Sequence, residues 1–308
     1  PAESGAGLVA LSDGSVVALL AAGARHRAAR YVWEDGKPSR TFLTGTHAAN
    51  LFELHGTPDG RTLVYQHSTA STPATWHVAR LDKDKFADPK AIAPLNAHLA
   101  GRPLARTEVV SWKGSGGDAV EGILYYPHGY SEGKRYPCVV QIHGGPASAD
   151  LDAWDEHWAY PANLICQRGA FVFKPNYHGS TGYGRKWLES IADGKYCEPE
   201  LEDIEKGVDS LIARGLVDKG GLALQGWSNG AILTNVLITR TTRYRAAVTG
   251  AGTVEYVSDW SSCEFGEAFD RFYLGKSPLE DLDLYRRKGP FHDVHKVRTP
   301  TLILWGTE

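Results

Sequence analysis

The pentapeptide Gly226-Trp227-Ser228-Asn229-Gly230 stands between two apolar runs, Leu222-Ala223-Leu224-Gln225 before it and Ala231-Ile232-Leu233 through Val236-Leu237 after it. That placement leaves few folds open. A strand must turn sharply into a helix with the serine at the apex, and the two glycines remove side chains that would collide across the turn. A serine hydroxyl held there sits beside a helix N-terminus, where developing negative charge is favoured. Ser228 is therefore the candidate nucleophile. The bland alternative is an ordinary strand-to-helix turn, and the flanking elements weigh against it.

A second segment supports the first. Tyr136-Pro137-Cys138-Val139-Val140-Gln141-Ile142 reads as a strand running into His143-Gly144-Gly145-Pro146. Acyl transfer needs two hydrogen-bond donors aimed at the oxyanion of the tetrahedral intermediate. One is the N–H after the nucleophile, here Asn229. The other comes from the loop after an earlier strand, where glycines let the backbone approach. Gly144 and Gly145 fit that role, against the alternative of a simple turn.

In this arrangement the acid follows the serine in sequence and the histidine comes last. An Asp is expected just past Gly306, after the strand Thr301–Trp305, with a His farther on; both are expected beyond Glu308. His292 and His295 precede that strand and read as surface or loop residues. The chain alone is accordingly expected to be inactive, and a non-catalytic scaffold is the reading from a different class. Gly179-Ser180-Thr181-Gly182-Tyr183-Gly184 lacks the spacing of a dinucleotide loop, and His292-x-x-His295 lacks the metalloprotease glutamate. No metal and no cofactor is expected.

From Thr107 onward, short β-branched apolar strands alternate with helical patterns. Strands are expected at 107–112, 122–126, 138–143, 171–175, 222–225, 246–249 and 301–305. Helices are expected at 154–168, 199–214 and 229–239. Strands apolar throughout imply a sheet covered on both faces, and the alternation implies a doubly wound, mostly parallel one; with the Ser228 elbow at a strand-to-helix turn, the expected class is an α/β-hydrolase fold. Residues before about 98 differ. Ser12-Asp13-Gly14-Ser15-Val16-Val17-Ala18-Leu19 parallels Pro58-Asp59-Gly60-Arg61-Thr62-Leu63-Val64-Tyr65 at an offset of 46 residues, each an Asp-Gly turn feeding a strand. Four strands in such a period is the pattern of a β-propeller blade, with unrelated hairpins of a sandwich as the alternative. The expected organisation is residues 1–100 as incomplete propeller blades and 101–308 as an α/β-hydrolase domain lacking its C-terminal end.

The sequence carries 33 basic and 36 acidic residues spread along its length, so it offers no concentrated basic face for nucleic acid. Its longest apolar run, Val16 to Ala24, is too short to span a membrane. Cys138, Cys166, Cys197 and Cys263 form no C-x-x-C pair, and the first two lie in apolar runs as small buried hydrophobes. No methionine occurs, and the chain is expected to be a piece of a longer protein. Cytoplasmic and periplasmic or secreted locations stay open, as does homo-oligomerisation.

Taken in order, Pro58–Tyr65, His143-Gly144-Gly145-Pro146, Pro175-Asn176-Tyr177-His178-Gly179-Ser180-Thr181-Gly182-Tyr183-Gly184, Gly226–Gly230 and Thr299-Pro300-Thr301-Leu302 resemble the prolyl oligopeptidase family of serine peptidases, in the style of its acylaminoacyl-peptidase and dipeptidyl-peptidase branches. The resemblance covers nearly all of residues 50–308. It implies hydrolysis of short peptides through an acyl-enzyme on Ser228, under a β-propeller that admits small substrates. It also implies an apolar specificity pocket near residues 250–260, to which Trp227, Val254, Tyr256 and Val257 are assigned by position; plain core packing is the alternative. Two positions depart from the family pattern: Ala231 replaces a frequent second glycine, and His178 a frequent arginine. A carboxylesterase on the same fold is the nearest competing enzyme.

Overall fold

The computed structural model describes residues 7–57, 59–93, 95–99 and 101–306, so Pro58 and Glu308 lie outside the described residues. The chain divides into two compact units, Pro1–Leu104 with Leu151–Glu156, and Ala105–Asp150 with His157–Glu308. The sequence suggested two contiguous stretches instead. The six residues from Leu151 interrupt the second one because their hydrogen bonds are made in the first unit: Asp152 accepts from Asn50 Nδ2 at 2.9 Å and the Ala70 amide at 3.0 Å, and the Trp154 amide donates to Ser68 Oγ at 2.8 Å.

The first unit holds two four-stranded antiparallel meanders. One is β1 (Leu8–Ala10), β2 (Val16–Ala22), β3 (Arg25–Glu34) and β4 (Lys37–Phe42); the other is β5 (Leu51–Gly56), β6 (Thr62–Thr69), β7 (Thr72–Asp82) and β8 (Lys85–Ala93). Strands β2 and β6 occupy the positions of the sequence repeat. One face of each meander feeds a shared core of Val17, Leu19 and Ala28 with Leu51, Leu63, Tyr65 and Phe86.

The second unit is built on β9 (Thr107–Lys113), β10 (Ala119–Tyr125), β11 (Tyr136–Ile142), α1 (Ala162–Gln167), β12 (Phe171–Asn176), α2 (Arg185–Leu188), α3 (Pro199–Ala213), β13 (Val217–Trp227), α4 (Asn229–Arg240), β14 (Ala246–Gly250), α5 (Tyr256–Ser262), α6 (Gly266–Leu274), α7 (Leu282–Lys288) and β15 (Thr301–Leu304). Its seven strands run in the order β15-β14-β13-β11-β12-β10-β9. Strands β11 to β15 pair in parallel, while β10 pairs antiparallel to both β9 and β12. Every residue of β12 is buried, as a central strand covered on both faces requires.

Helix α3 begins at Pro199, whose fixed φ and missing N–H suit a first turn. It lays Leu201, Ile204, Val208 and Leu211 into the core of the unit. Helix α4 is buried from Asn229 through Ile238. The helix expected over 154–168 is a correction: only Ala162–Gln167 is helical, following Pro161. Upstream of it, residues 151–156 lie in the other unit and Gln225 Nε2 donates to the Ala159 carbonyl. Helices α5, α6 and α7 were not anticipated. Cys138, Cys166 and Cys197 are buried, and none of the four cysteines forms a disulfide among the described residues. No helix among the described residues is long and apolar enough to cross a membrane.

Candidate active site

Strand β13 delivers Ser228 to the turn and α4 leaves from it. Ser228 has φ 55° and ψ −123°, a conformation costly for any residue with a side chain. Two contacts hold it there: its amide donates to the Gly250 carbonyl at the end of β14 at 2.9 Å, and its carbonyl accepts from the Ala231 amide at 2.9 Å. The glycines are required by space. A Cβ at Gly226 would lie 2.1 Å from the Gly230 carbonyl oxygen, and one at Gly230 would lie 1.9 Å from that of Ile142. Ser228 is exposed at the apex, while Asn229 is buried and opens α4. The Asn229 N–H, as a first-turn amide, has no carbonyl within the helix to bind and forms part of the positive end of the helix dipole.

The His143–Pro146 loop comes to the same place. A Cβ at Gly144 would lie 3.2 Å from Ser228 Cβ, so the glycine backbone abuts the nucleophile. Gly145 has φ +121° and precedes a cis peptide to Pro146. Beyond the loop, Asp150 is bound twice to Asn176, its amide donating to Asn176 Oδ1 at 2.7 Å and its carbonyl accepting from Asn176 Nδ2 at 2.8 Å. Lys174 Nζ, buried in β12, lies 3.6 Å from the Asp150 carboxylate. The loop is thus anchored on β12, the neighbour of the strand it leaves.

Under the elbow runs a buried polar chain. Tyr196 OH donates to Asn229 Oδ1. Asn229 Nδ2 donates to Tyr177 Oη at 3.0 Å, and Tyr177 OH donates to the His143 carbonyl at 2.7 Å. Burial pushes both phenols well above their ordinary pKa, so they stay neutral donors. Sequence reasoning missed Tyr177 and Tyr196. The only signal was the position of Tyr177 between Asn176 and the glycine-rich stretch.

No histidine or carboxylate among the described residues is hydrogen-bonded to Ser228 Oγ. His143 is occupied, with Nδ1 on the Gly144 carbonyl at 2.7 Å and Nε2 on Ser180 Oγ at 3.0 Å. His292 and His295 are exposed on a short 3-10 stretch, Pro290–Lys296. His178 is bonded to Asp203 and stacked on Trp187 at 3.7 Å. Among the described residues no group of three His, Cys, Asp or Glu side chains is placed to hold a metal ion.

The four residues assigned to a substrate pocket do not line one cavity. Trp227 lines a cavity of about 220 Å³ with Trp158, Tyr160, Val248 and Leu304. Val254 lines another of about 330 Å³ with Thr249, Gly252, Glu255 and Trp305. Tyr256 is fully buried, its hydroxyl 3.7 Å from Cys197 Sγ, and Val257 packs half-buried against the core. Tyr256 and Val257 therefore read as core residues.

A family model described as the prolyl oligopeptidase family matches residues 157–308. The acylamino-acid-releasing enzyme of Mus musculus is 30% identical over 197 residues, covering 61% of this chain and 26% of its own length. The uncharacterized peptidase YuxL of Bacillus subtilis is 28% identical over 200 residues, covering 65% of this chain and 30% of its own length. The acylaminoacyl peptidase of Pyrococcus horikoshii shares the fold, with a TM-score of 0.78 at 21% identity over 95% of this chain and 45% of that one. The chain thus spans less than a third of these two curated relatives and less than half of that solved structure. Its matched segment, which carries the nucleophile elbow, is similar to the prolyl oligopeptidase family.

Proposed function

We propose that the protein is a serine peptidase that hydrolyses short peptides through an acyl-enzyme on Ser228, acting as an oligopeptidase or an aminoacyl or acylaminoacyl exopeptidase. The observation that carries this reading is the meeting of Ser228, strained and exposed at the head of α4, with the Gly144 backbone. Ser228 Oγ attacks the scissile carbonyl as its proton passes to a histidine base. The oxyanion is held by the Asn229 N–H and the Gly144–Gly145 loop, and the amine leaves with the proton. Water then repeats the sequence on the ester. The acid and histidine belong after β15, as the strand order of this fold requires. The relatives named as acylamino-acid-releasing enzyme support acylated or short peptides as the substrate class.

In the same reading, residues 101–308, apart from the six from Leu151, form the catalytic domain and residues 1–100 contribute β-propeller blades. The repeated four-stranded meanders support that assignment. A fluorophosphonate probe tests the nucleophile: the full-length protein labels, and Ser228→Ala does not. Labelling that survives in Ser228→Ala sinks the assignment. Turnover should favour aminoacyl or acyl-peptide amides over plain esters with a similar leaving group, and the reverse order would favour the esterase.

A further inference from the structure

We propose that Tyr177 is a positioning residue: its phenol, with the His143 imidazole it stacks on, fixes the peptide planes of the Gly144–Gly145 loop relative to Asn229. This inference rests on the Ser228 reading and adds to it a residue outside the elbow and the loop.

Tyr177 Oη accepts from Asn229 Nδ2 at 3.0 Å and its proton goes to the His143 carbonyl at 2.7 Å. A peptide unit is planar, so holding the His143 carbonyl sets where the Gly144 N–H points. The Gly144 carbonyl can only accept, so His143 Nδ1 must carry the proton in their 2.7 Å bond. That bond sets the next peptide plane, and with it the Gly145 N–H. The Nε2 lone pair is then left to accept from Ser180 Oγ at 3.0 Å. Burial disfavours the imidazolium, so the ring is neutral and the Gly144 carbonyl selects this tautomer. The two rings lie 4.3 Å apart and nearly parallel. One fully buried phenol therefore joins the residue after the nucleophile to both planes of the other oxyanion segment, across 52 residues of sequence. Tyr196 secures only the far side of the Asn229 amide.

The test is a double-mutant cycle on the full-length protein, with kcat, KM and melting temperature read for each variant on one acyl-peptide amide. Tyr177→Phe keeps the ring and its stacking and removes only the hydroxyl. It is expected to lower kcat by about 10- to 100-fold with KM within about threefold. Asn229→Ala keeps its N–H but loses the same connection, and the double variant should be no worse than the poorer single one. A kcat within about twofold of wild type for Tyr177→Phe, or losses that multiply in the double variant, overturns the inference. Should Tyr177→Phe fail to fold, His143→Asn, whose amide can still donate to Gly144, must exceed His143→Leu in kcat by about tenfold or more. Equal values overturn it. Turnover that survives in Ser228→Ala overturns the parent reading as well, whereas an unaffected Tyr177→Phe overturns this inference alone.

Discussion

Gly144 turns its bare Cα toward Ser228. A Cβ there would stand 3.2 Å from the serine Cβ, 3.8 Å from its Oγ and 3.1 Å from the Trp227 carbonyl oxygen. These are tight contacts rather than collisions, and Gly144 does not have a positive φ. Gly144→Ala should therefore fold, at a cost of about 1 kcal/mol, by pushing the loop and the nucleophile apart by a few tenths of an ångström. Catalysis is less forgiving, because an ångström of misplacement can cost about a hundredfold. We expect single-turnover acylation to fall roughly 10- to 100-fold with a melting temperature close to wild type. Unchanged acylation would remove the loop from the oxyanion hole.

The elbow stores strain at the residue it presents. Ser228 at φ 55° and ψ −123° occupies a region where a glycine pays nothing. Ser228→Gly should raise the unfolding free energy by about 1–2 kcal/mol while abolishing probe labelling. Ser228→Ala keeps a Cβ and should gain little. Urea denaturation of the three proteins decides it, and a Gly variant less stable than the Ala variant contradicts the strain.

What the sequence revealed and hid follows the range of the interactions involved. The elbow was legible because its motif is short and lies between two apolar runs: Gly226 is needed by atoms within the turn, although Gly230 answers to the Ile142 carbonyl far back in the sequence. The buried sheet was legible from apolar runs such as Phe171-Val172-Phe173, since a strand covered on both faces does not alternate with polar residues there. The 46-residue repeat appeared as two meanders for the same reason, a local turn feeding a local hairpin. The helix over 154–168 failed because apolar residues there answer to distant partners, with Trp154 bound to Ser68 and Ala159 to Gln225. Helices α5 to α7 are nine residues or shorter, too brief for periodicity to declare them. Tyr177 was invisible as a site residue because its partners, His143 and Asn229, are 34 and 52 residues away.

Asp270, on α6, is buried with both carboxylate oxygens lacking a hydrogen-bond partner among the described residues. Burial, then the charges of Asp259 and Glu255, push its pKa up from 3.8 to about 7. The folded state therefore holds a proton that the unfolded chain releases, and stability falls as pH rises from about 3.8 to about 7. Asp270→Asn, isosteric and neutral, should melt higher than wild type at pH 8 and no higher at pH 4. A gain that is equal at both values rules out titration of this carboxyl as the cause.

His178 behaves in a related way, although its partners outweigh its burial. Its amide and Nδ1 both donate to Asp203 Oδ2, at 2.7 and 2.6 Å, and its Nε2 lies 3.4 Å from Asp118 Oδ2. Asp203 Oδ1 meanwhile accepts from the Ser115 amide at 2.7 Å, so one carboxylate ties β12's exit to the β9–β10 turn from within α3. Burial lowers the His178 pKa, but the hydrogen bonds and charges of Asp203 and Asp118 raise it further, to a net value above 6.5. A raised histidine stabilises the fold fully below pH 6.5, and that contribution is lost as pH climbs through the folded value. His178→Gln can still donate a hydrogen bond, at any pH, but carries no charge. The wild type should exceed it in urea midpoint at pH 6 and by clearly less at pH 9. A difference that stays constant between the two would mean that His178 contributes through shape and stacking on Trp187 alone.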